Sequence, residues 1–298
     1  EEKYLGKYEE KDLALTQAEN IFSEVTNVGM NRLITKFFNE FRKLGNEPES
    51  EALRAVVKES ADQVVGDFKR LSRSIRDIQK NLDVRIEANV RQVNELAQRV
   101  AHLNEQIKNL EIQGGEAADL RDSRDLAVKE LSKMADLSVS TNEKGDLIIA
   151  LTNGGCPIVT GRQYSALTVE SSKADPESGK PEGGLEIHMK GLAQTNITDR
   201  FQEGKLGGLI EARDKGLGSA LSHVDELAYA FATKLNEIHR QGFSINGTGG
   251  VNFFKQPIKK EQAAELLELS EFIKADERNI ATALTPNSPG DNRLVQLI

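Results

Sequence analysis

Tryptophan is absent from the sequence, aromatic residues make up only 5 %, and cysteine occurs once, at Cys156. A single thiol excludes an internal disulfide, and with no histidine nearby in sequence to act as a base, Cys156 reads as a small buried or loop side chain and not as a nucleophile. No apolar run reaches the roughly eighteen residues needed to cross a bilayer, and no cleavable signal segment is recognisable. Basic residues are also short: 39 lysines and arginines stand against 47 aspartates and glutamates, a formal net charge of −8. The chain therefore lacks the electrostatic footprint of a nucleic-acid binder, and no arginine-rich or aromatic-interleaved stripe supplies one. Few aromatics and 29 % charged residues suit long helices with small cores better than a large globular enzyme. At 298 residues the chain is long enough for a real core, and two domains are the expectation.

Two further absences organise the chain. No proline follows Pro48 until Pro157, and no glycine lies between Gly66 and Gly114. Nothing forces a helix to stop there, so residues 46–114 read as one amphipathic helix, roughly 95 Å long at 1.5 Å per residue. Its apolar residues alternate in steps of three and four. One seam position carries Ile86, Val93, Val100 and Ile107, and the other carries Leu82, Leu96, Leu103 and Leu110, the β-branched and leucine pattern of close helix pairing. Gln79 and Asn89 interrupt the seam, either as register-fixing hydrogen bonds or as weak points. A second row, Val64, Leu71, Ile78, Val90 and Ala97, widens the stripe and predicts a bundle within one chain more than a free coiled-coil dimer. Gly66 is an expected bend.

Around this helix the sequence predicts helices over 3–27 and 31–44, the second with Phe37, Phe38 and Phe41 on one face, and a shorter helix from Ala118 to Met134 returning after the Gly114-Gly115 turn. Composition changes at Asp136. Strands are expected over 147–151, at Val159, and over 164–169 and 185–189, with a flexible loop over 171–184. Helical period resumes from Leu206 to Ile238. A glycine-rich turn (242–250), a short strand (251–254), helical pieces (263–267 and 277–283), a loop (286–290) and the start of a helix (294–298) follow. The expected fold is mainly α with an inserted β domain: an elongated antiparallel helical bundle built on one very long helix, formed by residues 1–135 and 205–298, plus a small β-rich domain at 136–204. The first residue is Glu1, with no initiator methionine, so the chain is expected to be a fragment, and targeting information to lie outside it.

Candidate chemistry is sparse. The histidines are His102, His188, His223 and His239. His223 and Glu226 sit one helical turn apart and could share a metal, but no second pair and no HExxH accompanies them. Arg121, Asp122, Arg124 and Asp125 form one charged cluster and Arg213 with Asp214 another; both read as inter-helix ion pairs. Gly247-Thr248-Gly249-Gly250 lacks the lysine of a phosphate loop and reads as a turn. Asn196-Ile197-Thr198 and Asn246-Gly247-Thr248 match the glycosylation acceptor pattern, which arises easily by chance. No catalytic, cofactor-binding or metal-ligating set is assigned, and no cofactor is expected.

Three segments carry a resemblance. VNELAQRVAHLNEQI at 93–107, LRDSRDL at 120–126 continuing into Glu130-Leu131-Ser132, and GGLIEARD at 207–214 with Leu227-Ala228 and NEIHRQG at 236–242 together resemble the FlgK family of flagellar hook-associated proteins. Phe37-Phe38, Pro48, Leu53-Arg54 and the run from Pro289 to Asn292 fit the same pattern. The resemblance implies a structural, non-catalytic component of the bacterial flagellum, outside the cell, joining hook to filament. It implies as partners the hook protein, a second junction protein and further copies of the chain in a ring, and an export chaperone bound through terminal regions outside this sequence. It implies no nucleic acid and no membrane span. The short insertion puts in question the further outer domain that some relatives have. The alternatives are a secreted coiled-coil or other flagellar tip protein, which the segment from Gly207 to Gly242 opposes, and an enzyme with a polar pocket in the β insertion. Small-angle scattering checks the first reading: an elongated monomer is expected, and a compact sphere would count against it.

Overall fold

In the computed structural model the described residues are 4, 6–13, 16, 29–143, 146–172, 184–190 and 195–298. They divide into two compact units, residues 1–17 with 78–218 and residues 18–77 with 219–298. Helix α1 (Asn31–Asn46) is followed by α2 (Glu51–Ile112), a single α-helix of 62 residues. Pro48 precedes it, and the Ser50 hydroxyl accepts the Leu53 amide at 3.3 Å, capping one of the orphan donors of the first turn. Its far end closes in a Schellman motif. Gly114 adopts φ +79°, its amide donates to Glu111 O at 3.0 Å, and the Gly115 amide donates to Leu110 O at 3.0 Å, which only a residue free of a Cβ penalty accommodates readily. Between these stops the helix stays α-helical through Gly66.

The unit containing residues 78–218 buries Leu82, Ile86, Val93, Ala97, Val100 and Ile107 of α2. Helix α3 (Ala118–Met134) buries Ala127, Leu131 and Met134, while Leu126, read from sequence as part of its apolar face, is 55 % exposed. Two antiparallel sheets follow. The first has four strands in chain order, β1 (Leu137–Thr141), β2 (Leu147–Leu151), β3 (Pro157–Thr160) and β4 (Gln163–Tyr164), and the second has three, β5 (Leu167–Ser171), β6 (Leu185–Met189) and β7 (Thr195–Asn196). The single strand expected over 164–169 is thus two strands of different sheets. The Ser165 amide still bonds to Ile158 O at 2.8 Å, and Ala166 O already accepts from Lys190 N at 2.9 Å, so the chain changes partners at that peptide. Most of the loop expected over 171–184 lies outside the described residues. The helix expected from Leu206 is also divided, into α4 (Gly204–Glu211) and a π-helical stretch, Ala212–Leu217, that leads into the next helix. A Cβ on Gly208 would come within 2.5 Å of Lys7 O, so that glycine admits the close passage of the helical residues 6–13.

In the unit containing residues 219–298, α5 (Gly218–His239) and α1 meet over an aromatic cluster. Phe37 packs edge-on against Phe41, Phe231 and Phe253 with ring centroids 5.2, 5.7 and 5.7 Å apart, a favoured arrangement of ring quadrupoles. The strand expected over 251–254 is reduced to one bridge, Phe254 to Leu269. Its backbone is paired instead by the buried Asn236, whose carbonyl accepts the Phe253 and Phe254 amides at 2.9 and 2.8 Å and whose amide donates to Phe254 O at 2.9 Å. Helix α6 (Ala263–Leu266) begins where the Asp225 carboxylate accepts from Gln262 N and Ala264 N, both at 2.9 Å. Helix α7 (Glu271–Ala275), not expected from the sequence, is capped by Ser270. The helix expected over 277–283 is a 3-10 turn (Glu277–Asn279) followed by β9 (Ala281–Ala283), which pairs with β8 (Phe243–Ser244). Residues 293–297 form turns, not a helix; the Leu294 amide bonds to Thr282 O at 3.1 Å.

Two buried ionisable side chains hold β9. Arg54, fully buried, donates to Ile280 O, to Pro48 O at 2.6 Å and to Thr282 Oγ1 at 3.2 Å. Burial lowers its pKa to about 10, which still leaves it charged at neutral pH. His239, also fully buried, donates from Nδ1 to Val251 O at 2.8 Å and accepts the Ala281 amide at Nε2 at 2.9 Å. This pairing needs the neutral ring, because a second ring proton would point at the Ala281 N–H. Burial, with the Arg54 charge adding to it, lowers the His239 pKa from 6.5 to about 4. The unfolded chain then binds the extra proton between those two values, so stability is complete above about pH 6.5 and falls as pH drops towards 4, by about 3 kcal/mol from this residue. Denaturant unfolding at pH 7 and pH 4 is expected to show that loss, and His239→Gln is expected to remove this share of it; an unchanged pH dependence in the variant would refute the assignment.

Candidate functional site

The residues singled out in the sequence do not assemble into a reaction centre. Among the described residues no group of three histidine, cysteine, aspartate or glutamate side chains could hold a metal ion. Glu226 pairs with Lys260 at 2.7 Å, which holds its carboxyl below the usual range, while His223 faces a groove of about 340 Å³ lined by Met30, Phe68, Leu71, Ala220, Val224 and Leu227. That groove lies outside residues 136–204. His102 is exposed, His188 sits 3.6 Å from Glu186, and Cys156 is a free, half-buried thiol. In the first charged cluster Arg121 pairs with Glu111 and Arg124 with Asp125. The Asn246–Gly250 stretch is a turn, with Gly247 N donating to Ser244 O at 3.0 Å. Asn196 Oδ1 accepts from Thr198 N at 2.9 Å and from its hydroxyl at 2.7 Å.

What the structure does assemble is a row of polar anchors from α2 to the two sheets. Asp83 Oδ1 accepts the Leu185 amide of β6 at 3.3 Å. Asn94 makes a reciprocal pair with Leu167 of β5, donating to its carbonyl and accepting its amide, both at 2.8 Å. Asn104 donates to Gly161 O at 2.7 Å, and Lys108 pairs with Asp146 at 2.7 Å. At about 100° per residue these four positions fall within about 80° of one another around the helix, one side of it. The Lys108 hydrogen bond, with that of Asn142, holds the Asp146 carboxyl below its ordinary pKa.

A buried arginine closes the row. Arg213, 3 % exposed, donates to Asp83 at 2.5 Å, to Leu185 O at 2.8 Å and to Asp214 at 2.7 and 3.1 Å. Burial opposes its charge, but Asp214 and Asp83 outweigh that and raise its pKa. Its own carbonyl accepts from Gln79 at 3.2 Å, so Gln79, 4 % exposed, is a register-fixing hydrogen bond. Asn89 is not, since among the described residues it donates only to Arg85 O of its own helix at 2.8 Å. The helical residues 6–13 join by charge: Lys7 reaches Glu203 and Glu211 at 3.3 and 3.1 Å, Lys11 reaches Glu211 at 2.7 Å, and Glu10 pairs with Arg85. Such an arrangement fixes positions. The sequence signal that could have found it is the appearance of Asp83, Asn94 and Asn104 about three helical turns apart.

Comparison with known proteins adds a family. A family model described as the flagellar hook-associated protein FlgK helical domain matches residues 15–254. Flagellar hook-associated protein 1 of Bacillus subtilis (strain 168) is 29 % identical over 302 aligned positions, covering 94 % of this chain and 60 % of that protein. Its namesake in Escherichia coli (strain K12) is 30 % identical over 248 positions, covering 80 % and 43 %. The fold is similar to that of the flagellar hook junction protein FlgK from Burkholderia pseudomallei, with a TM-score of 0.69 at 23 % identity, covering 84 % of this chain and 45 % of that one. The chain thus spans between 43 % and 60 % of the length of these relatives.

The anchor row generates a stability test. Asn94→Leu leaves the amide and carbonyl of Leu167 without their partner, which is expected to cost about 1–3 kcal/mol. Asn94→Asp keeps an acceptor for the amide but sets a carboxylate against the carbonyl, and is expected to destabilise as well. Hydrogen exchange checks the location: protection is expected to fall first at Leu167 and its β5 neighbours, and unchanged protection there would remove the anchor role.

Proposed function

The chain belongs to the FlgK helical-domain family of flagellar hook-associated proteins, and on that premise we propose that it is the load-bearing body of a junction protein that connects the flagellar hook to the filament. Family membership is the observation that carries this reading. Its work is mechanical and involves no catalysis: the side chains that converge on α2 satisfy one another and fix the sheets in place. We take residues 1–135 and 205–298 as one helical domain and 136–204 as a β-rich domain inserted in it, because the seven strands of the two anchored sheets all fall within the insertion and α1 to α3 precede it.

In this role the protein acts outside the cell, in the axial structure. Its partners are the hook protein on one side, a second junction protein on the other and further copies of itself in a ring, with an export chaperone before assembly. Among the described residues no helix is long and apolar enough to cross a membrane. The test is complementation. Expression of the gene encoding this chain in a bacterium deleted for its own hook-associated protein 1 is expected to restore attached filaments and swimming. Bare hooks with filament protein shed into the medium, despite normal export of the protein, would overturn the proposal.

A further inference from the structure

Asparagine is followed by glycine twice in the chain, at Asn153-Gly154 and at Asn246-Gly247. In such a pair the glycine nitrogen can attack the asparagine side-chain carbonyl, since no Cβ on the following residue hinders it. Both glycines adopt left-handed backbone, φ +85° and +76°, yet their surroundings differ. The Gly247 amide is occupied by Ser244 O at 3.0 Å, and the Asn246 side-chain amide is held by Asp276 Oδ2 at 3.2 Å and Asn279 Oδ1 at 3.4 Å. Attack there requires three hydrogen bonds to break.

Residues 152–155, the turn between β2 and β3, are exposed. Among the described residues the Gly154 amide has no hydrogen-bond partner, and the Asn153 side chain makes one long contact, to Asp199 O at 3.4 Å. The Arg200 guanidinium lies against this peptide. A Cβ on Gly154 would fall 1.2 Å from Arg200 Nη1, and the same nitrogen donates to Asn153 O at 3.5 Å. A cation at that place favours loss of the Gly154 amide proton, because the negative charge on the peptide develops beside it.

We propose that Asn153 is a site of spontaneous modification, deamidating through a cyclic imide, while Asn246 is protected by the fold. The Gly154 nitrogen gives its proton to solvent and bonds to Asn153 Cγ; the bond from Cγ to Nδ2 breaks, and ammonia leaves. Water then opens the imide at either carbonyl, giving aspartate or isoaspartate, with net exchange of ammonia for water and no redox change. The product sets a carboxylate beside Arg200, and the isoaspartyl form lengthens the turn by a backbone atom.

Peptide mapping by mass spectrometry, after incubation of the folded chain at mildly alkaline pH, tests this. Conversion is expected several-fold faster at Asn153 than at Asn246, and isoaspartate is expected among the products. In urea the two sites are expected to react at similar rates, because only the fold separates them. Arg200→Gln is expected to slow Asn153 several-fold in a chain whose circular dichroism is unchanged, and to leave Asn246 alone. Equal rates at the two sites in the folded chain, or faster conversion at Asn246, would overturn the assignment; an unaltered rate in Arg200→Gln would overturn the part given to the guanidinium.

Discussion

A helix of 62 residues is held by what covers its apolar stripe more than by its own hydrogen bonds, since most helical stability in proteins comes from packing. In α2 that stripe is continuous. Val57, Ala61, Val64, Phe68, Leu71, Ile75, Ile78 and Leu82 are all at most 6 % exposed and follow one another by three or four residues. Residues 51–77 of α2 belong to the unit with residues 18–77 and its residues 78–112 to the unit with residues 78–218.

Apolar contact is strong but weakly directional, so it leaves a second question, which is what fixes each partner at one position. The answer in this chain is a set of buried and half-buried polar groups that satisfy specific backbone atoms. Asn94 mimics a neighbouring strand towards Leu167, Asn236 does the same for Phe253 and Phe254, and Asp225 caps the turn at Gln262 and Ala264. Arg54 holds the residues on either side of Ala281, and His239 accepts the Ala281 amide itself. Removing water from such groups costs stability unless every partner is in place, and shifting the contact by one residue would leave them unpaired. The pairs therefore act as registers.

The long helix was legible in the sequence because its signal is an absence, of proline and glycine, combined with a period that few other structures share. Its stops were legible too, since Pro48 and Gly114 act through local backbone chemistry. Short elements were harder. The run 164–169 carries no mark of its change of sheet, which depends on where Lys190 arrives from more than twenty residues away. Residues 281–283 read as helical because alanines favour helix, yet tertiary pairing with β8 makes them a strand. The anchors were half visible: Arg54 heads the buried row, three residues before Val57, a place where a charge demands an explanation, but two of its partners, Ile280 and Thr282, lie more than two hundred residues away. Asn94 and Asn104 look like ordinary surface residues of a helix until the sheets are present.

For a protein proposed to carry load, the chemistry of attachment matters as much as its strength. If the sheets rested on α2 through aliphatic contact alone, a sideways force could slide them by one helical turn and meet an equivalent surface, because the seam repeats. Asp83, Asn94, Asn104 and Lys108 do not repeat in that way: they are separated by eleven, ten and four residues, and each meets a different backbone or side-chain partner. A slip of one turn would strip hydrogen bonds from all four at once while the hydrophobic area stayed nearly the same. The polar row thus resists the one displacement that the apolar seam tolerates.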